Sequence, residues 1–234
     1  MANQPKWRAK LALACYLALV GAILLGSIVG GLIMFGVGMD VQDPPFPSAL
    51  ISIPVNEAII LGVTLLFAKY KGAGLKELGL KRASFVILLV VSVAAMPLLL
   101  LADGIFAGEQ LIFGPDPMSD LVEKAVAPRD SSQLVVMILF SLVLIGPCEE
   151  LAFRGFVQRG FENSFGNARG LLIASGLFAL LHGLNTLYAI VPVFAVSLVL
   201  GYAWQRTGGN TIVSALMHGM YDAIAIALAY FLAV

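Results

Sequence analysis

Residues 142 to 163 read LVLIGPCEELAFRGFVQRGFEN, an apolar stretch that holds Glu149, Glu150 and Arg154 in its middle. It continues an apolar run beginning near residue 131. A bilayer core about 30 Å thick needs roughly 20 apolar residues in helix, and about 131 to 160 supplies them. An ionisable side chain at that depth costs at least ~2.5–3.5 kcal/mol, so each of the three needs a reason to be there.

The rest of the chain agrees with a membrane reading. Of 234 residues, 60% are hydrophobic and 12% charged, whereas a soluble domain carries about 25% charged residues to wet its surface. The two cysteines, Cys15 and Cys148, lie in apolar runs and make no disulfide framework. With a net charge of +0 there is no basic field to attract nucleic acid. An integral membrane protein remains, all-α, a polytopic helix bundle. About seven spans are expected, near 11 to 37, 49 to 69, 84 to 107, 131 to 160, 170 to 188, 189 to 205 and 210 to 233. The range is six to eight, because only Asn185, Thr186 and Pro192 part the fifth from the sixth.

Cations near helix ends stay cytoplasmic far more often than not. With the N-terminus inside, every Lys and Arg falls on or toward the inner side except Lys124 and Arg129, which share an outer segment with Asp103, Glu109, Asp116, Asp120, Glu123 and Asp130. This predicts a multi-pass protein of the plasma or inner membrane, N-terminus cytoplasmic and C-terminus outside, with an uncleaved first span. The basic connection KYKGAGLKELGLKR at 69 to 82, with Lys6, Arg8 and Lys10, reads as a topology anchor. Tyr188, Tyr202 and Trp204 read as interfacial belt residues, and Gly26 with Gly30 as a close-packing face. Glu57 reads as interhelical packing or a wet vestibule, with substrate access its functional alternative.

Most of the buried polar groups lie in the last hundred residues. Both histidines are inside expected spans: His182 in LFALLHGLN and His218, with Asp222, in ALMHGMYDA. Glu150 and Arg154 are four apart with the acid first, the favourable order for an ion pair on one face. Glu149 is turned ~100° away and is left free. Phe178 shares a face with His182, and His218 with Asp222. Pro147 removes a backbone hydrogen bond just before the acids. At 1.5 Å per residue Glu149, His182 and His218 can reach one buried layer. A carboxylate beside an imidazole can take a proton from water, while a second imidazole donates to the oxyanion formed at a carbonyl. The same Glu and two His could instead hold Zn²⁺ with an open position.

The CEELAFR segment, the F-x-x-x-H of Phe178 to His182 and the H-x-x-x-D of His218 to Asp222, in that order on successive membrane helices, resemble the three motifs of the CPBP or Abi family. Its members include CAAX prenyl endopeptidases and bacteriocin-processing or self-immunity proteins. The likeness covers roughly 131 to 234, with an echo at Leu78 to Arg82. It divides the chain into N-terminal membrane helices and loops (1–130) and catalytic core helices (131–234) within one structural unit, the cavity expected to open toward the cytoplasm or inner leaflet.

The resemblance implies an intramembrane endopeptidase that hydrolyses a membrane-associated or prenylated, CAAX-like substrate with a Glu- and His-bound water. It gives Glu149 as general base, His182 as its partner on the water, His218 as oxyanion donor, and Glu150, Arg154 and Phe178 as structural support. Family members commonly have Asn or Asp at the position of Asp222; an ionised Asp cannot donate, so Asp222 is either protonated or orients His218. The family is often called a metalloprotease, yet this mechanism requires no cofactor; a zinc version would use Glu149, His182 and His218. The expected partners are a membrane-embedded or lipidated peptide or protein and the bilayer, with the oligomeric state left open. Two rival readings keep the same residues: a non-cleaving immunity or scaffold protein that binds peptide or lipid in the cavity, and a small proton-coupled transporter.

Overall fold

A computed structural model describes residues 7–38 and 47–232, and among them it holds helices and turns but no strand. Lys6 of the basic N-terminal group lies outside the described residues. Eight helices follow in order: α1 (Ala9–Gly36), α2 (Pro47–Tyr70), α3 (Phe85–Phe113), α4 (Pro117–Val126), α5 (Ser131–Phe165), α6 (Asn167–His182), α7 (Ile190–Arg206) and α8 (Thr211–Leu232). Among the described residues six of them, α1, α2, α3, α5, α7 and α8, are long and apolar enough to cross a membrane. The protein is a multi-pass helical membrane protein. Large apolar side chains such as Leu25, Ile28, Leu32, Leu66, Val86 and Leu101 are exposed on the outer helices, as contact with lipid requires.

The segment expected to span 170 to 188 is shorter than that. α6 has 16 residues and ends at His182, a length of ~24 Å. Beyond it a turn at Gly183 to Asn185 leads to a 3₁₀ turn at Leu187–Ala189, whose start is capped by the Thr186 hydroxyl accepting from the Tyr188 N–H. Asn185 and Thr186, which were to divide two spans, thus lie in the turn beyond an earlier helix end. His182 is placed at a helix end, where its ring is free to face a cavity.

α5 begins with Asp130 as cap, its carboxylate accepting from the Ser132 and Gln133 N–H groups. The Ser132 hydroxyl also donates to it and, first among the causes, holds that carboxyl below its ordinary range. Farther along, two π-helical stretches, Ser141–Ile145 and Leu151–Gln158, flank the α-helical Gly146–Glu150. Pro147 has no N–H to give, and widened turns on both sides absorb the broken ladder. This is the form taken by the expected irregularity at Pro147.

Two glycines let α5 and α8 touch by their backbones. A Cβ at Gly146 would lie 2.6 Å from the Ala215 carbonyl oxygen, and one at Gly219 2.6 Å from that of Ser141. Gly146→Ala or Gly219→Ala is therefore expected to force the helices apart at a cost of about 1–3 kcal/mol, read as a lower Tm of the protein in detergent.

The cation-bearing end is tied together by hydrogen bonds. Lys81 Nζ donates to Gly208 O (2.6 Å), Arg159 Nη2 to Gly209 O (3.3 Å), and Thr211 to Gly79 O and Leu78 O (2.9 and 2.6 Å). At Gly79 φ is +90°, and a Cβ there would meet Thr211 Oγ1 and Gly209 O; only glycine fits. The 71–84 connection is thus docked into the bundle, with Leu78 fully buried.

Trp204, expected at an interface, is buried, donates to Thr211 Oγ1 (3.1 Å) and lies under the Arg159 guanidinium. Trp7 is also buried: its Nε1–H donates to Phe156 O (2.8 Å) and its ring stacks on Phe156 at 4.7 Å, anchoring α1 to α5. A Cβ at Gly26 would lie 3.2 Å from Ile59 of α2, whereas at Gly21, Gly30 and Gly31 it would meet no described atom within 4 Å.

Candidate active site

Side chains from α5, α6 and α8 meet in one layer. Glu150 and Arg154 form the expected pair, Nε to Oε2 at 3.0 Å, with both side chains wholly buried. Glu150 does more than neutralise Arg154: its other oxygen, Oε1, faces His218 Nδ1 at 3.2 Å. The carboxylate that looked structural therefore sets the orientation of a histidine from another helix. The guanidinium also lies 5.0 Å from the centroid of Phe178.

Phe178 is the hub of the layer. Its ring is 4.5 Å from the His182 ring, 5.9 Å from that of His218 and 4.7 Å from that of Phe153. Its carbonyl oxygen is 3.0 Å from His182 Nδ1. A carbonyl can only accept, so Nδ1 carries the proton and Nε2 faces the cavity.

Both Nε2 atoms converge on Glu149. Its Oε2 lies 3.9 Å from His182 Nε2 and 4.0 Å from His218 Nε2, and has no hydrogen-bond partner among the described residues. Asp222 Oδ2 is 3.6 Å from His218 Nε2. Asp222 is thus beside the working nitrogen, and orienting Nδ1 is left to Glu150.

The spacing also tests a shared metal ion. Donors on one tetrahedral zinc, at about 2.0–2.1 Å each, lie about 3.4 Å apart, closer than the 3.9 and 4.0 Å found. Among the described residues no group of three or more His, Cys, Asp or Glu is placed to hold a metal. As arranged, Glu149 Oε2 stands about 0.5 Å farther from each imidazole than donors on one zinc would. A water donating to both carboxylate and imidazole at about 2.8 Å holds them roughly 4–4.5 Å apart.

Beside this layer is a cavity of about 190 Å³. Phe178, His182, His218 and Asp222 form its polar wall, with Ala189, Pro192, Val193 and Val196 opposite and Asp103, Phe106 and Tyr221 completing it. Tyr221 OH donates to Asp103 Oδ1 across the α3–α8 boundary at 2.7 Å. Asp103 was expected in an outer polar segment; it instead lies within α3, because that helix runs on to Phe113. Glu57, on α2, is buried, leaves Oε2 without a hydrogen-bond partner among the described residues, and is within electrostatic reach of Glu149, His218 and Asp222. Sequence reading had not joined Tyr221, Asp103 or Glu57 to this layer. Their only signal was the cost of polar groups at apolar depth.

The cavity lies by the end of α6, the start of α7 and the later half of α3. The cations at the start of α1, between α2 and α3, and at the end of α7 are at the other end of the bundle. The α6–α7 connection stands beside the cavity, and His218, on its α8 wall, is the eighth residue from that helix's cation-bearing end. Thr186 donates to Asp116 there, and Tyr188 packs near Phe113.

Fold and site together define a class: a multi-pass helical membrane protein with a Glu–His–His–Asp layer buried beside a small cavity. Residues 131–224 match the family model described as type II CAAX prenyl endopeptidase Rce1-like. The resemblance to the CPBP, or CAAX protease, family is borne out over that stretch, which contains all three motifs and leaves α1 to α4 outside it. At family level the match stands for an intramembrane CAAX-type endopeptidase. No curated protein and no solved structure matches the chain.

Proposed function

We propose that the protein is an intramembrane endopeptidase that hydrolyses a peptide bond of a membrane-associated or prenylated substrate, with Glu149 as general base. The observation that carries this reading is the convergence of one unpartnered carboxylate oxygen and two imidazole Nε2 atoms at 3.9 and 4.0 Å. Glu149 and His182 hold a water between them. Glu149 takes its proton as the oxygen bonds to the substrate's carbonyl carbon. The carbonyl's electron pair moves to oxygen, and His218 Nε2 donates to that oxyanion. With Nδ1 facing Glu150, His218 has a proton on Nε2 only when the ring holds both; Glu149, Glu150 and Asp222 converge on it to balance that charge. Collapse of the intermediate breaks the C–N bond, and the proton on Glu149 passes to the leaving amine.

No metal takes part in this mechanism. Full activity is expected after stringent chelation, with no stoichiometric metal in the purified protein; loss of activity that only Zn²⁺ restores would count against it. The N-terminus is cytoplasmic in this reading, since Lys71, Lys76, Lys81, Arg8 and Arg206 share one end of the bundle. A comparison of membrane proteomes from wild-type and Glu149→Gln cells tests the activity and finds the substrate: C-terminal or leader fragments that vanish in the variant are its products. Identical fragment patterns would overturn the reading.

A further inference from the structure

Asp103 has no part in the hydrolysis above, yet it lies in an apolar helix. It is the 19th of the 29 residues of α3, it is exposed, and it lines the cavity that holds His182, His218 and Asp222. A carboxylate at such depth is expensive unless it is used. Tyr221, one residue from Asp222, spends its hydroxyl on fixing one carboxylate oxygen, Oδ1, at 2.7 Å. The second oxygen, Oδ2, remains for whatever enters.

The charges around the cavity say what that is. Among its described lining residues are two carboxylates and two imidazoles but no Lys or Arg. The nearest guanidinium, that of Arg154, is wholly buried and engaged by Glu150. An arriving carboxylate finds one cationic ring, His218, already faced by Glu149, Glu150 and Asp222, and meets two like charges in the lining, while an arriving ammonium or guanidinium finds a pre-oriented acceptor. Such asymmetry, attraction for one sign with repulsion of the other, is how a site discriminates.

We propose that Asp103, held by Tyr221, is a substrate-binding residue that selects a Lys or Arg side chain on the polypeptide segment entering the cavity. The proposal rests on the proteolytic reading for its occupant, a peptide, and names that peptide's charge. The pair stands on the α3–α8 boundary beside the catalytic wall, so the cationic residue is one close in sequence to the bond cleaved.

The test uses the full chain in nanodiscs, made cleavage-incompetent by Glu149→Gln, and three fluorescent apolar membrane peptides identical except for a central Lys, Gln or Glu. A hydrogen bond to a charged group discriminates by about tenfold or more, so the Lys peptide is expected to bind at least about tenfold tighter than the Glu peptide. Adding Asp103→Asn reduces that ratio to within about threefold. Tyr221→Phe, which keeps the carboxylate and removes its support, lowers it by an intermediate factor. Equal affinities for the Lys and Glu peptides, or a ratio that survives both substitutions, overturns the proposal. Should Asp103→Asn fail to fold, the Tyr221→Phe ratio alone decides. The same peptides offered to the wild-type chain separate the two readings: charge preference in binding without cleavage sinks the protease, and cleavage without charge preference sinks only this assignment.

Discussion

Replacing Glu149 with Gln is expected to lower kcat by about 10²–10⁴-fold, the contribution of a positioned general base, while leaving the fold intact. The amide has the carboxylate's shape. Glu149 Oε2 has no hydrogen-bond partner among the described residues, and the side chain is 13% exposed; Glu150 and Asp222 still face His218 when the charge at 149 is removed. The buried ion pair next to it is untouched. Turnover of a fluorogenic membrane peptide by the purified variant, measured beside its Tm, checks both halves. Wild-type turnover at an unchanged Tm would remove Glu149 from the mechanism.

Arg154→Ala is expected to have the largest effect on stability, about 3–5 kcal/mol, because it leaves the Glu150 carboxylate buried without its counter-charge. The guanidinium also packs over Phe178, the ring around which both histidines are arranged, so the loss reaches the layer itself. Thermal unfolding in detergent measures it. The paired change Glu150→Leu with Arg154→Met separates support from orientation. Removing both charges restores much of the stability, but His218 Nδ1 loses the carboxylate that faces it at 3.2 Å, and kcat stays low. Recovery of both stability and kcat would show that Glu150 has no positioning role.

What could be read in the sequence followed the repeat of a single helix. Glu150 and Arg154, Phe178 and His182, and His218 and Asp222 are each one turn apart, and 3.6 residues per turn brings each pair together whatever the rest of the chain does. The free state of Glu149 came from the same rotation. The early end of α6 was missed because the turn beyond it is closed by local hydrogen bonds, from the Asn185 N–H to His182 O and from the Tyr188 N–H to the Thr186 hydroxyl, rather than by hydropathy. Trp204 was misplaced for a related reason: nearness to a span end suits an interfacial ring, but Thr211 offered its indole a buried partner.

By itself, the sequence determined that the chain crosses a membrane as helices, that its few deep charges gather in the last hundred residues, and which of them pair along one helix. Solvation dictates this: apolar length and the cost of charge in hydrocarbon are properties of composition and order. Only the tertiary structure decided which groups meet across helices. Gly146 and Gly219 let α5 and α8 close to backbone contact, and that approach brings Glu150 to His218. The meeting of Tyr221 with Asp103, 118 residues apart, and the side of the bundle that holds the cavity are likewise outcomes of packing, since no periodicity along one helix specifies the rotation of its neighbour.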